Sequence, residues 1–401
     1  MIKNIIFLID SPLNKRDFDR FGIQALLNEG FEVNIWDLTL CIHRAFYSTL
    51  VIDDKVSYQN MRIFEKKTDI QKSISELQET DLVVCFIGFA INSLFIYRAL
   101  SQHSIRYCVS QVGLLPVSIY SGTPRTISFS KFIKKFTGMK IHSIASNVVD
   151  ILIKHHFRLF GVRPAAILLL SGKRSDEPNL YPIDETTKKI WIHLMDYDIY
   201  LEQHQHATDP KPGRYAVFLD EYVPFHPDYK YMRVEPPVSA DEYYPKLRSF
   251  FEFLENKFDL QVIIAAHPRS DYKDKQEYFG NRIVVRGKTA QLVRDSVFVI
   301  AHMSTAIDFA VLFRKPLIFI TTEKISRIQS GSYPFGRYID TTAAAFQKKP
   351  VIVDNMKDIN WNSEMNVEDV VYQDYKNAFI KKDGTADLPF WKIFADYIHT
   401  Q

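Results

Sequence analysis

The sequence predicts an α/β protein of two Rossmann-like units facing a central cleft, each built on a parallel sheet. Three observations carry that expectation. At 401 residues the chain exceeds what one core of usual size holds. Short apolar runs, each ending in a polar tip and followed by a helical pattern, recur along it, which is the grammar of βαβ units. The same grammar then restarts at Tyr215, after a polar, turn-rich stretch.

The first half opens with an apolar run at 3–9 (KNIIFLI), a buried strand whose tip is Asp10-Ser11-Pro12. Residues 17–28 follow as an amphipathic helix, with Phe18, Phe21, Ala25 and Leu26 on one side. Gly30 ends it, and 31–36 (FEVNIW) is the second strand, with Asp37 at its tip. No GxGxxG lies between these strands, which argues against a dinucleotide site. Further strands are expected at 82–87, 106–110 and 165–172. Between them lie a helix running to Leu100 and a loop punctuated by Gly113, Pro116, Gly122 and Pro124. Residues 129–160 read as mostly helical and basic.

The second half begins with the strand 215–219 (YAVFL), tipped by Asp220-Glu221-Tyr222. Ser239, with Glu242 three residues on, signals the start of a helix over 239–256. Strands follow at 261–265, 281–285, 296–301 and 316–320, with helices at 288–294 and 306–313. A loop-rich stretch runs through Asp340, and helical patterns at 341–347, 367–381 and 389–397 close the chain. The domains expected are 1–165 and 205–384, with a final helix at about 385–401 returning to the first.

Composition excludes little else. Hydrophobic residues make up 46%, charged residues 24%, and the net charge is +3, which favours no nucleic-acid partner. The three cysteines, Cys41, Cys85 and Cys108, lack metal spacing and point to a reducing cytoplasm. No run approaches the ~18 apolar residues of a spanning helix. Peripheral contact with the inner face of a membrane stays open. The basic-aromatic run at 131–136 (KFIKKF) reads better as a solvated helix face. Adjacent His155 and His156 point about 100° apart on a helix and chelate poorly. His204 and His206 lack a third ligand nearby, so no metal and no cofactor is expected.

The chemistry concentrates at strand ends, where open parallel sheets bind ligands. His267 follows the 261–265 run, and Pro268 ends that strand. Arg269 offers a bidentate phosphate contact. Ser304 and Thr305 read as N-cap and first-turn residues of the next helix, whose unpaired N–H groups suit a phosphate. Asp308, one turn on, is placed to meet a ribose hydroxyl or to complement the helix dipole. Asp220 and Glu221 are candidate general bases.

The ordered set Asp220-Glu221-Tyr222, His267-Pro268 and Ser304-Thr305 resembles the acidic-pair, His-Pro and Ser-Ser/Thr motifs of bacterial sialyltransferases and polysialyltransferases. Related signals occur in capsule Kdo transferases and CDP-glycerol-type polymer transferases. The resemblance spans about a hundred residues, and it departs at Tyr222, where the group usually has Gly. It implies a GT-B glycosyltransferase taking a nucleotide-sugar donor, CMP-linked sialic acid or Kdo in the first instance. The acceptor would be a glycan or glycolipid of a bacterial surface polysaccharide or lipooligosaccharide. The implied roles are Asp220 or Glu221 as base, and His267, Ser304 and Thr305 on the donor phosphate. Asp10, in the first half, is the alternative base. A nucleotide-sugar epimerase or CDP-polyol phosphotransferase on the same fold is the first alternative function, and a non-catalytic polysaccharide-assembly protein the second.

Overall fold

A computed structural model describes residues 2–47, 55–117, 149–205, 213–232, 234–272, 276–331, 333–357 and 359–401. The run at 131–136, Gly122, Pro124, His206, and parts of the predicted 129–160 helix and 209–213 turn lie outside them.

The chain folds as two compact units. The first holds a seven-stranded parallel sheet ordered β3-β2-β1-β4-β5-β6-β7. Its strands are β1 (Asn4–Ile9), β2 (Glu32–Asp37), β3 (Met61–Ile63), β4 (Asp81–Cys85), β5 (Tyr107–Gln111), β6 (Ile167–Leu170) and β7 (Lys188–Trp191). The second holds a six-stranded parallel sheet ordered β10-β9-β8-β11-β12-β13. Its strands are β8 (Tyr215–Leu219), β9 (Gln261–Ala266), β10 (Val284–Arg286), β11 (Val299–Ala301), β12 (Leu317–Thr321) and β13 (Val351–Ile352). Every pair of named strands in both sheets is parallel, as strands buried on both faces should be.

The first sheet extends beyond residue 165. β6 hydrogen-bonds to β5, and β7 to β6, so the unit runs to Met195. β7 ends at Trp191, and an α-helix follows over Asp196–Gln205. The chain returns at Lys381–Gln401. The helix Phe390–His399 lays Phe390, Trp391, Phe394, Ala395 and Ile398 on the same core as Ile5, Phe7 and Val84. Trp391 crosses Phe7 edge-on at 5.2 Å, and its indole N–H donates to the Arg20 carbonyl at 2.6 Å. Gly22 is required beneath it. Its φ is +54°, and a Cβ there would lie 2.0 Å from the indole ring.

In the second unit β8 is the central strand, apolar and buried over Ala216–Leu219. The helix Ala240–Phe258 covers the sheet with Tyr243, Tyr244, Leu247, Phe250, Phe251 and Leu254. Its Ser239–Glu242 capping box forms as the sequence signals. The helix expected at 341–347 instead spans Phe335–Ala344, inside the predicted loop. Gly336 lets that helix approach the Ile325 carbonyl, where a Cβ would sit 2.3 Å away. Three short edge strands, β3, β7 and β13, had no apolar run to announce them.

Candidate functional site

The strand order sets the site. β8 lies between β9 and β11, so the tips carrying His267 and Met303-Ser304 flank the tip carrying Asp220-Glu221. In register, Leu219 faces Ala265 on β9, and Phe218 faces Ile300 on β11. His267 and Ser304 are thus about two strand spacings apart, roughly 10 Å, with the acidic pair between them.

The two acids have different lives. Asp220 is 3% exposed. One carboxylate oxygen accepts from the Tyr222 N–H at 2.9 Å. The other accepts from the Tyr272 hydroxyl at 2.9 Å and the His267 N–H at 3.3 Å. Burial raises its pKa to about 6, against the pull of those three donors. Asp220 therefore clasps the β8 tip to the β9 tip and presents little to a substrate. Glu221 turns to the other side. Its Oε1 accepts from the Met303 N–H at 2.7 Å, and it is only half-buried. Burial raises its pKa to about 7, opposed by the backbone N–H groups of the β11 turn.

Tyr222 explains the departure from the Gly of the resembled motif. Its φ is +52°, the left-handed region that glycine adopts freely. The backbone shape is kept although the residue differs. The Asp220 carboxylate holds its N–H, and its ring packs on Phe225 and Tyr272 at 5.4 and 5.3 Å.

His267 is fixed by a tight turn. The Ser270 N–H and hydroxyl both donate to its carbonyl, at 2.9 and 2.7 Å. The Arg269 N–H donates to Nδ1 at 3.2 Å, which puts the ring proton on Nε2. The His226 ring stands 4.8 Å from the His267 ring, tilted 65°. Arg269 is exposed. Its guanidinium pairs with Asp228 at 2.9 Å and donates to His226 Nε2 at 3.3 Å, so it is engaged with the loop after β8. Burial lowers the His226 pKa, the Asp228 carboxylate opposes this, and Arg269 adds to it. Sequence reasoning assigned no role to His226. The signal was present as a second His-Pro pair, His226-Pro227, matching His267-Pro268.

Ser304 and Thr305 are not the N-cap. The α-helix runs Ile307–Leu312, and Ala306 caps it without a side-chain bond. Bonds of the i→i+3 kind, Ile307 N–H to Ser304 O and Asp308 N–H to Thr305 O, make a tight turn first. Ser304 Oγ accepts the Ala306 N–H at 3.2 Å inside that turn, and Thr305 is exposed. Asp308 is placed elsewhere. It is 4% exposed, in a buried setting that includes Asp196 and Tyr375, and burial raises its pKa to about 8. His302, just before the turn, is a structural pin. Nδ1–H donates to the Ile320 carbonyl and Nε2 accepts from the Tyr243 hydroxyl, both at 2.7 Å. Burial holds its pKa near 4, so it stays neutral. Among the described residues no group of three or more His, Cys, Asp or Glu could hold a metal. None of their helices is long and apolar enough to cross a membrane.

No protein-family model matches the chain, and no curated protein matches its sequence. Solved structures do match over its length. The wall teichoic acid polymerase TagF, soaked with CDPG, gives a TM-score of 0.51 at 10% identity over 99% of this chain and 88% of that one. CalG4, the calicheamicin glycosyltransferase, gives 0.51 at 11% identity over 100% and 98%. The UDP-GlcNAc 2-epimerase of Neisseria meningitidis, bound to UDP-GlcNAc, gives 0.46 at 12% identity over 100% of both chains. The chain has the GT-B fold, and its structural neighbours are glycosyltransferases and UDP-GlcNAc 2-epimerases. The resemblance to sialyltransferases in particular rests on the three motifs alone.

Proposed function

We propose that the protein is a glycosyltransferase whose second unit binds a nucleotide-sugar donor at the ends of β8, β9 and β11. One observation carries the reading most: Glu221, half-buried and held at a pKa of about 7, stands between the His267 tip and the Ser304 turn. A base with that pKa is matched to neutral pH. In this reading the donor phosphate lies against the Ser304 and Thr305 hydroxyls and His267 Nε2–H. As the bond from sugar to phosphate breaks, charge grows on the leaving oxygen and Nε2–H stabilises it. The acceptor hydroxyl attacks the anomeric carbon and gives its proton to Glu221. Asp220 holds the His267 backbone and is a positioning residue. The second-unit motifs favour a CMP-linked acidic sugar, such as sialic acid or Kdo, passed to a glycan or glycolipid acceptor.

A thermal-shift panel of CMP, CDP, UMP and UDP tests the donor site. A ligand at a hundred times its Kd adds about 2.7 kcal/mol of stability. One base should raise Tm in the wild type, and the Ser304→Ala/Thr305→Ala variant should lose most of the rise without a lower Tm of its own. No shift with any nucleotide would favour a non-catalytic assembly protein. Product analysis with CMP-, UDP- and CDP-linked donors then separates transfer from epimerisation and from polyol-phosphate transfer.

A further inference from the structure

A helical segment of the first unit exposes apolar side chains where a solvated helix carries polar ones. Ile153 and Phe157 face the core, as an amphipathic segment requires. On its outer side Ile151, Leu152 and Leu159 are exposed, Leu159 to 84%. The backbone carries them in one continuous run. The His156 N–H donates to the Leu152 carbonyl and the Leu159 N–H to the His156 carbonyl, both at 2.9 Å. Ile91, 53% exposed, joins from a neighbouring loop, its N–H held by the Asp150 carboxylate at 2.9 Å. Elsewhere among the described residues, exposed large aliphatic side chains occur singly along the chain, which is ordinary.

Basic residues rim this face. Lys154 lies on the same turns, and a groove of about 460 Å³ is lined by Arg158, Gly161 and Arg163, which bracket Leu159 in sequence. Arg98 reaches it too, its Nε 3.7 Å from where a Cβ on Gly161 would stand. Against these four bases stand Asp150 and Asp184, the latter paired with Arg158. The surplus is cationic.

We infer that this face docks on an anionic membrane surface, with Leu159 and its apolar neighbours entering the headgroup layer and the arginines and Lys154 meeting lipid phosphates. Apolar insertion combined with cationic attraction is how interfacial segments hold a bilayer. A second copy of the chain is the poorer occupant, because four side chains fall well short of the roughly 800 Å² per partner that a stable interface buries. The surface belongs to the first unit and stands independently of the donor reading.

The test is sedimentation of the full chain with vesicles of phosphatidylcholine alone and with 30% phosphatidylglycerol. The expected result is binding to the anionic vesicles that weakens with salt and is about tenfold lower on the neutral ones. The Ile151→Asp/Leu159→Asp variant should lose that binding at unchanged Tm. Lys154→Glu should weaken binding to the anionic vesicles only. If the double variant melts early, Leu159→Ser alone serves, since an 84% exposed side chain supports little of the core. The inference is overturned if the wild type stays in the supernatant with anionic vesicles. It is overturned equally if the variants bind as the wild type does, or if light scattering shows a dimer that the double variant makes monomeric.

Discussion

Both sheets put acids at inner strand ends, on β1 and β2 in the first unit and as a pair on β8 in the second, yet only the pair on β8 binds the backbone of both neighbouring strand tips. In the first unit Asp10, at the tip of β1, meets His43 at 3.1 Å and stays about a third exposed. Asp37, at the tip of β2, folds back on its own loop and accepts from the Thr39 N–H and hydroxyl. Asp37 is satisfied locally, and Asp10 reaches one side chain in the segment after β2. In the second unit Asp220 reaches sideways to β9 and Glu221 to β11. One strand tip thereby fixes the positions of two others, and both carboxylates rise in pKa as burial outweighs their donors. Motif-bearing residues held in place by cross-strand bonds are what a preorganised site requires. Among the described residues Asp10 has one such contact, to the His43 side chain, and accepts from no backbone N–H of a neighbouring strand tip, which weighs against Asp10 as the base.

The comparison is sharpest at Glu221. Glu221→Gln keeps an oxygen for the Met303 N–H but cannot take a proton. Turnover should fall about 10²–10⁴-fold, the usual contribution of a general base. Wild-type kcat should rise with pH through about 7 and level off above it, since the carboxylate must be ionised to act, and the variant should show no such rise. A variant that keeps the wild-type pH profile would move the base elsewhere.

His267→Asn should lower turnover about a hundred- to a thousandfold, as removal of one well-placed donor does. Its Tm should change little, because the turn is held by backbone and Ser270. An early-melting, normally active variant would reassign His267 to the scaffold.

Asp220→Asn should act on stability first, lowering it by about 1–3 kcal/mol at pH 5, since one of three buried donors loses its acceptor. The pH dependence has a definite sign. A folded pKa near 6 above an unfolded value near 3.8 means the native state holds the proton longer. Stability from this group is full below about pH 4 and is lost as pH rises through about 6, by on the order of 3 kcal/mol. The gap between wild type and variant should narrow over that range, and urea titrations at pH 4.5 and 7.5 measure it. A constant gap would mean Asp220 titrates as an ordinary carboxylate.

The smallest effect belongs to Asp10→Asn. Its partner is a single half-buried histidine at a half-open site. Stability should move by under about 1 kcal/mol, as for exposed pairs, and turnover under about threefold if general-base catalysis resides in the second unit. A hundredfold loss of turnover would reverse the assignment between the units.

Much of this was legible in sequence, and the rest had physical reasons to be hidden. The central strands announced themselves because a parallel strand buried on both faces is an unbroken apolar run, as YAVFL shows at β8. β3 and β13 are three and two residues long at sheet edges, too short for any periodicity. The order acidic pair, His-Pro, Ser-Thr could be read, and so could its placement at strand ends. The side chains' directions could not. That Asp220 turns to β9, Glu221 to β11, and Arg269 to Asp228 depends on contacts dozens of residues apart. Asp308 illustrates the same limit, since its helix starts two residues later than Ser304-Thr305 suggests and its carboxylate is buried instead. Tyr222 shows the converse. A mismatch in residue type concealed an agreement in backbone, visible only as a positive φ.

The return of Lys381–Gln401 to the first unit bears on the order in which the nascent chain folds. The strands of that unit emerge from the ribosome first, but the helix Phe390–His399 that covers Ile5, Phe7 and Val84 emerges after the whole of Asp196–Ile380. At about 5–20 residues per second, roughly ten to forty seconds of translation separate Met195 from Lys381. The second unit, all of it made by Ile380, can close its own core within that interval. The first waits with part of one sheet face uncovered, beside Ile23 and Leu26, until Trp391 reaches Gly22. The unit made first is thus finished last.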